Sequence, residues 1–270
     1  MGTKSIIAVE ELKSIQLDIL SYFDKFCRDN NINYSLACGT LLGAVRHKGY
    51  IPWDDDIDVY MLREEYVKFV ELFLGSDNGP YKLNCFPHNK DIDRVYANLY
   101  DSRTVMIEGK AQSYELGVFI DIFPLDDVPD DQKDWKKYKR KLFFVSWLRN
   151  VKVFEWSTHR ELLKNLSLYV SKFILFPFSL NSVLSYMDSF IQKNNGKGYN
   201  HVYQTSYGVE NNETLKKEMF YDLVDYEFEG FKFKGVHNAD AYLKALYGNY
   251  MQLPPEMDRV STHSFNAYWK

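Results

Sequence analysis

The stretch RHKGYIPWDDDIDVYM, residues 46–61, contains four aspartates within five positions and leads directly into an apolar run. The apolar residues from 57 onward favour a β-strand, in which alternate side chains share a face. Asp56 and Asp58 would then project together, while Ile57 enters the core. Unit charges about 4 Å apart repel by roughly 4 kcal/mol at an effective dielectric near 20, so this crowding requires a compensating charge.

A hard divalent cation would supply that charge. Mg²⁺, or Mn²⁺ in its place, prefers carboxylates combined with water and phosphate oxygens, which suits an Asp-x-Asp pair better than a zinc site does. Asp121 is the candidate third ligand because it interrupts the apolar stretch 117–126, where an unpartnered acid is costly. The alternative is a solvated acidic turn, as most acidic runs are. The strand after the run and the second isolated acid favour the metal.

The hydrophobic pattern predicts an α+β fold. We expect a nucleotidyltransferase-like mixed sheet flanked by helices in residues 1–130, a mainly helical subdomain in 131–200, and a segment in 201–270 that packs back on the core. Pro124 and Pro129 are expected to close the strand that contains Asp121. The predicted helices are 9–28, 63–74 and 239–247, with a shorter one beginning near 41–45. The predicted strands are 32–38, 57–61, 81–86, 95–100, 104–108 and 118–123, with a hairpin around Gly230.

Composition excludes several classes of protein. A net charge of −4 argues against a nucleic-acid partner, since neutralising phosphates needs a basic surface. The three cysteines are odd in number and form no CxxC pair, which favours a reducing cytoplasm over a disulfide framework or a zinc knuckle. The first residues lack the pattern of a secretion signal, and no run of about 18 apolar residues suggests a membrane span.

The basic residues beside the acids suggest phosphate binding. Arg46, His47 and Lys48 would bring positive charge to phosphate oxygens, and the amides around Gly39 and Thr40 could approach a phosphate closely because glycine lacks a Cβ. Loop Lys and Arg residues are usually solvated, so this reading depends on the neighbouring acids.

Three segments together resemble one family. They are ACGTLLGAVRHKGYIPWDDDIDVYMLREEY at 37–66, GVFIDIFPLDDVP at 117–129 and LYGNYMQLPPEMDRVSTH at 246–263. These segments resemble the LicD family, which sits in the nucleotidyltransferase-fold superfamily. The superfamily pattern is Gly with a small hydroxyl residue, then Asp-x-Asp, then a third acid on a later strand. This chain departs from it only in having Thr40 where serine is usual.

The resemblance implies an enzyme that transfers phosphocholine from CDP-choline to a sugar hydroxyl of a teichoic acid or lipopolysaccharide precursor, releasing CMP. Asp56, Asp58 and Asp121 would be the catalytic residues and would hold Mg²⁺ or Mn²⁺, with Asp54 as a further ligand. Asp121 could also accept the proton of the acceptor hydroxyl. The alternatives are a transferase of another phospho-alcohol, such as ethanolamine or pentitol phosphate, and a non-catalytic nucleotide- or sugar-binding protein.

The expected donor-binding set contains the phosphate-binding candidates and two residues proposed from their surroundings. Trp53 is the first candidate to hold the quaternary ammonium of choline over an aromatic face. The set is Gly39, Thr40, Arg46, His47, Lys48, Trp53 and His263. The basic, aromatic segment 133–149 could rest on anionic lipid if the glycan acceptor is lipid-linked, with a solvated helix face as the alternative. We therefore expect a cytoplasmic protein that works at the inner face of the cell membrane.

Overall fold

A computed structural model describes residues 6–108, 116–154, 161–206, 208, 214–260 and 265–270. The helices are α1 Val9–Asp29, α2 Cys38–Arg46, α3 Arg63–Leu74, α4 Gln132–Val153, α5 Leu162–Ile174, α6 Leu180–Gln192 and α7 Ala239–Tyr247. The strands are β1 Ser35–Leu36, β2 Asp58–Leu62, β3 Tyr81–Asn84, β4 Ala97–Asp101, β5 Thr104–Glu108, β6 Phe119–Val128, β7 His201–Tyr203, β8 Leu215–Lys216, β9 Leu223–Phe228, β10 Phe231–Val236 and β11 Phe265–Trp269.

The main sheet is mixed. Its strand order is β1-β2-β6-β4-β3, with β7 continuing on β6 and β8 on β7. The pairing of β2 with β6 is parallel, and the other pairings in this sheet are antiparallel. Two small ladders join β9 to β10 and β5 to β11. Helices with a mixed, mainly antiparallel sheet confirm the predicted α+β class.

Helix α1 forms because its apolar residues recur at helical spacing and its first turn carries two acids, which suit the positive end of the helix. Leu12, Ile15, Ile19 and Phe23 face inward and are buried in the main core, against α3 and the sheet. Gln16 is also buried on this face, among apolar neighbours. A buried amide needs hydrogen-bond partners, and Gln16 finds them next to the acidic stretch.

Pro124 lies inside β6, so the prediction that it closes this strand is wrong. The backbone N–H of Asp121 donates to the Ile57 carbonyl at 2.9 Å. The backbone N–H and C=O groups of the odd-numbered residues of β6 therefore point toward β2, and the backbone nitrogen of Pro124 points toward the opposite edge of the strand. On that edge the ladder with β4 ends at Ile122 and the ladder with β7 begins at Asp126. Pro124 lies in the gap between the two ladders, where its missing N–H costs nothing.

Helices α4, α5 and α6 occupy the region predicted to be helical. The Asp131 carboxylate accepts from the backbone N–H groups of Lys133 and Asp134 and so begins α4. Helices α4 and α6 form a second buried cluster with residues before β4 and at β7; it includes Trp135, Tyr138, Leu142, Leu184, Met187, Ile191 and Tyr203. The division of the chain into three domains stays a prediction.

The last third of the chain follows its predicted elements closely. The hairpin of β9 and β10 turns at Glu229 and Gly230, whose φ angles of 50° and 80° suit a tight hairpin turn. Helix α7 has the predicted bounds, whereas β11 was not predicted. The three cysteines are free thiols. In the part of the chain that the structure describes, no helix has both the length and the apolar character needed to cross a membrane.

Candidate active site

The parallel ladder of β2 and β6 brings two predicted acids side by side. Asp58 and Asp121 are Cα partners in this ladder, so their side chains leave the sheet on the same face. The predicted alternation before β2 is also present: Ile57 and Val59 are fully buried, whereas Asp56 and Asp58 are half-buried. Asp56 itself precedes the strand, which begins at Asp58 rather than at Ile57.

Asp54 lies against the start of α2. A Cβ atom added to Gly39 would fall 2.5 Å from Asp54 Oδ2, so the glycine makes room for this carboxylate. Burial, the charge of Asp56 and a hydrogen bond with the Asp56 side chain raise the pKa of Asp54 to about 7. Burial and the neighbouring carboxylate therefore disfavour the ionised form of Asp54.

Asp55 shows that the stretch is not a simple solvated turn. It is only 8% exposed, and its carbonyl oxygen accepts from Gln16 Nε2 at 3.0 Å. The same amide nitrogen donates to the carbonyl of Phe119 at 3.3 Å, at the start of β6. The Tyr50 hydroxyl donates to Gln16 Oε1 at 3.2 Å. Gln16 thus joins α1 to the acidic stretch and to the strand that carries Asp121.

Two buried polar side chains fix the acids on β2 and β6. The Thr40 hydroxyl accepts from the backbone N–H of Asp58 at 2.9 Å, which ties α2 to the first residue of β2. Asn98 on β4 is the antiparallel partner of Asp121 and is fully buried. Its Nδ2 donates to Asp121 Oδ1, while its Oδ1 has no hydrogen-bond partner among the described residues.

The predicted phosphate-binding residues lie at the two ends of α2: Gly39 and Thr40 are in its first turn, Arg46 is its last residue, and His47 and Lys48 begin the following loop. Arg46 Nε donates to His47 Nε2 at 2.9 Å, and Arg46 Nη1 donates to the Tyr250 carbonyl at 2.7 Å. Burial and the charge of Arg46 lower the pKa of His47, so the neutral imidazole is the acceptor. Lys48 is exposed, has a φ of 62°, and its carbonyl accepts from the N–H of Glu229 at 2.8 Å. The loop is therefore held by the segment that follows α7 and by the β9–β10 hairpin.

A cationic side chain of the protein already lies over the Trp53 ring. The Arg259 guanidinium lies 5.6 Å from the ring centroid, and Arg259 Nε donates to the Pro254 carbonyl at 2.9 Å. The His47 ring lies 6.5 Å from the Trp53 ring, edge to face. Trp53 thus offers a cation-binding face that a side chain of the chain itself now covers. His263, the donor-binding candidate at the end of the C-terminal motif, lies outside the described residues.

Tyr247 also faces the acids. The residue is 45% exposed, yet partial burial, followed by the charges of Cys38 and Asp58, raises its pKa. Asp54 and Asp56 add to the same effect. Tyr247 ends α7 and begins the YGNYM segment, so the C-terminal motif meets the aspartate stretch in space.

Comparison with known proteins identifies the family. A model described as LicD/FKTN/FKRP, nucleotidyltransferase domain, matches residues 31–160. The chain is 34% identical over 278 aligned positions to the lipopolysaccharide cholinephosphotransferase LicD of Haemophilus influenzae, covering 97% of this chain and 98% of that protein. The chain belongs to the LicD family. An uncharacterized Rickettsia typhi protein is 35% identical over 48% of this LicD chain and 50% of its own length. The predicted family and the predicted class of enzyme, a transferase, are confirmed.

The predicted metal ligands suit a hard cation by their chemistry, since Mg²⁺ and Mn²⁺ prefer carboxylate oxygens. A cation beside Asp54 would favour its ionised form, against the burial and the Asp56 charge that raise its pKa. Within the described ranges, however, no three His, Cys, Asp or Glu side chains are arranged to hold a metal ion. The metal stays a prediction, and binding would require the carboxylates to turn toward one point.

Three neighbours of the acids were not predicted from the sequence as site residues. Asn98 is one amide in a strand-like run, and Gln16 is one polar residue on an apolar helix face. A polar residue inside an apolar pattern is a weak signal, because most such residues serve packing. Tyr247 lay within the quoted C-terminal motif, but one tyrosine among 21 could not be assigned a place.

Proposed function

We propose that this member of the LicD family transfers phosphocholine from CDP-choline to a sugar hydroxyl of a lipopolysaccharide precursor, releasing CMP. The observation that carries the proposal is the Haemophilus influenzae relative, a lipopolysaccharide cholinephosphotransferase that aligns along nearly the whole chain. The side-by-side placement of Asp58 and Asp121 supports it. A teichoic acid precursor is a second acceptor of the same chemistry, and a cytoplasmic location fits a nucleotide-activated donor.

Asp56, Asp58 and Asp121 would hold Mg²⁺ or Mn²⁺, with Asp54 as a further ligand. Such an ion would neutralise and orient the diphosphate of the donor. Substitution of these acids therefore tests both the metal and the chemistry.

The chain's own groups supply the remaining functions. Asp121 is our candidate to accept the proton of the attacking sugar hydroxyl, and the amide of Asn98 holds its carboxylate in place. Thr40 fixes the backbone of Asp58. Arg46 and Lys48 bring positive charge to the phosphate of the departing CMP. Thr40 and Arg46 are positioned by α2, and Asp58, Asn98 and Asp121 by the sheet, whereas Lys48 lies in the loop after α2.

Choline recognition is assigned to Trp53. A quaternary ammonium and the Arg259 guanidinium would compete for the ring face, so donor binding would move Arg259 aside. Removing Arg259 should then free the face and tighten choline binding.

The test is CMP release by the purified chain with CDP-choline, CDP-ethanolamine and CDP-ribitol, in Mg²⁺ and in EDTA. The acceptor is lipopolysaccharide lacking phosphocholine, kept in detergent. We expect release with CDP-choline in Mg²⁺, and a loss of at least about 100-fold in Asp58→Asn. The matched control is Glu71→Gln, which removes an exposed acid from α3.

Each alternative gives its own result. Faster CMP release from CDP-ethanolamine or CDP-ribitol than from CDP-choline would identify that phospho-alcohol as the transferred group. Donor binding by calorimetry without CMP release from any donor would indicate a non-catalytic binding protein. Full activity in Asp58→Asn, or undiminished activity in EDTA, would contradict the proposed site or its metal, respectively.

A further inference from the structure

Helix α5 presents an apolar face to solvent. At 3.6 residues per turn, seven apolar side chains fall within about 140° of its circumference. All of them are exposed, from 47% at Leu166 to 80% at Leu163. They are Leu162, Leu163, Leu166, Tyr169, Val170, Phe173 and Ile174, and we call them the α5 apolar face. Beyond the helix, Phe176 and Phe178 are exposed as well.

The side of α5 that faces the protein is mixed, because Leu168 and Leu175 are half-buried there together with polar residues. Asn165 is buried at 1% exposure and lies outside the α5 apolar face, about 110° around the helix from its centre. The Lys172 ammonium donates to the carbonyl of Phe154, and the Lys152 ammonium donates to the carbonyl of Leu175. These contacts fasten α5 to the end of α4. The helix is therefore fastened in part by polar contacts, and most of its apolar side chains stay exposed, unlike those of an ordinary surface helix.

Helix α4, whose C-terminal end contacts α5, carries exposed basic and aromatic side chains. Phe143 and Phe144 are 65% and 53% exposed, and Phe144 lines a shallow groove with Lys137, Arg140 and Lys141. Residues 132–178 contain eleven Lys and Arg against three Asp and Glu, a balance of +8. Since the whole chain carries −4, the other residues carry −12. The basic residues and the exposed apolar side chains are thus concentrated in one region of an acidic protein.

We propose that the α5 apolar face and the basic side of α4 bind the surface of a membrane that contains anionic lipid. An exposed apolar helix face beside Lys and Arg is the pattern of interfacial helices, which place apolar side chains among acyl chains and basic ones near lipid headgroups. Contiguous exposed apolar side chains on this scale are unusual for a surface that meets only water. The proposal does not depend on which donor the enzyme uses.

Charge favours a membrane over a second copy of this chain. Pairing two α5 apolar faces would bring two regions of +8 together, and like charges oppose such contact. An anionic lipid surface complements the same charge and accepts the apolar side chains. The two occupants therefore differ in how they respond to lipid composition.

The experiment is co-sedimentation of the full chain with vesicles of phosphatidylcholine alone or mixed with phosphatidylglycerol. We expect binding to the mixed vesicles that weakens with salt, and much weaker binding to phosphatidylcholine alone. The triple variant Leu163→Ser, Val170→Ser, Phe173→Ser should reduce the bound-to-free ratio at least about tenfold. The variant Lys137→Glu, Arg140→Glu, Lys141→Glu should reduce it similarly.

The control replaces exposed leucines on another helix, Leu72→Ser with Leu74→Ser on α3, and should bind as the parent does. Unchanged melting temperatures would show that the variants fold. Absence of sedimentation with anionic vesicles, or undiminished binding by the triple α5 variant, would overturn the proposal. So would a parent dimer that the triple variant converts to monomer in sedimentation velocity without any vesicle binding. CMP release with detergent-solubilised acceptor should be unaffected by these variants, which separates this proposal from the proposed activity.

Discussion

Asp58 and Asp121 face each other across the parallel ladder of β2 and β6. Their relation is fixed by backbone hydrogen bonds rather than by a loop, because a slip of one residue would move either side chain to the other face of the sheet. Asn98 lies on the other side of Asp121, in register on β4. Three adjacent strands therefore present Asp58, Asp121 and Asn98 in one row across the sheet.

Asn98 is predicted to act as a positioning residue for Asp121. Asn98→Ala removes the donor to Asp121 Oδ1, so we expect kcat to fall about 10- to 100-fold and the pH profile of kcat to shift. Asn98→Asp should lower kcat further than Asn98→Ala does, because it places a second carboxylate beside Asp121. Asn84→Ala is the matched control: it removes the buried asparagine paired with Asn98 on β3, where it accepts from Asn89. Equal loss of activity in the two alanine variants would contradict a positioning role.

The raised pKa of Asp54 predicts how stability changes with pH in the metal-free protein. Between about pH 4 and pH 7 the folded state holds a proton on Asp54 that the unfolded state has released, so this residue's contribution declines as pH rises. Asp54→Asn lacks that decline. Its melting temperature relative to the parent should therefore rise by at least about 2 °C from pH 5 to pH 8 in EDTA. Asp18→Asn, at an exposed position on α1, is the control for the loss of one carboxylate. A constant difference for Asp54→Asn would contradict the assignment.

Gly39 and Gly43 predict two different consequences of the same substitution. In Gly39→Ala the new Cβ meets the end of the flexible Asp54 side chain at 2.5 Å. The carboxylate can move away, so we expect turnover to fall about tenfold or more while alanine's better helix propensity preserves stability. In Gly43→Ala the Cβ meets the backbone oxygen of Gly49 at 2.4 Å, which is much harder to displace. Gly43→Ala should therefore lower the melting temperature, which Gly39→Ala should leave unchanged. Thermal unfolding and CMP release measured together separate the two, and a fully active Gly39→Ala would contradict the role given to Asp54.

Much of the fold could be predicted because its signals are local. Helix α3 and helix α7 begin and end where periodicity and their flanking residues indicate, and α1 is one residue longer. The strand predicted over 32–38 is reduced to β1, because most of that run packs without a ladder partner that would extend it. Pro124 gave the clearest error. Whether a proline ends a strand depends on which edge its missing N–H faces, and that follows only from the pairing of β6 with three other strands.

The candidate site could be predicted only where its residues share a motif or break an apolar pattern. Asp56 and Asp58 satisfy the first condition, and Asp121 satisfies the second. Asn98 has its place because β4 pairs with β6 in one register, which no local pattern encodes. Gln16 likewise acquires its role only when α1 packs across the start of β6.

The buried ion pair of Arg63 and Asp126 is predicted to hold α3 to β6. Arg63 Nε and Nη2 donate to the two carboxylate oxygens at 2.7 Å, and Asn195 and Thr205 also donate to this carboxylate. Arg63→Met leaves a buried, unpaired charge, so we expect a loss of about 3–5 kcal/mol in the free energy of unfolding, measured with urea. Adding Asp126→Leu should recover part of that loss, because the stranded charge is gone. Lys25→Met breaks an exposed pair with Asp29 on α1 and should leave unfolding unchanged. If Arg63→Met unfolded at the same urea concentration as the parent, or if Asp126→Leu made it worse, the pair would not have this role.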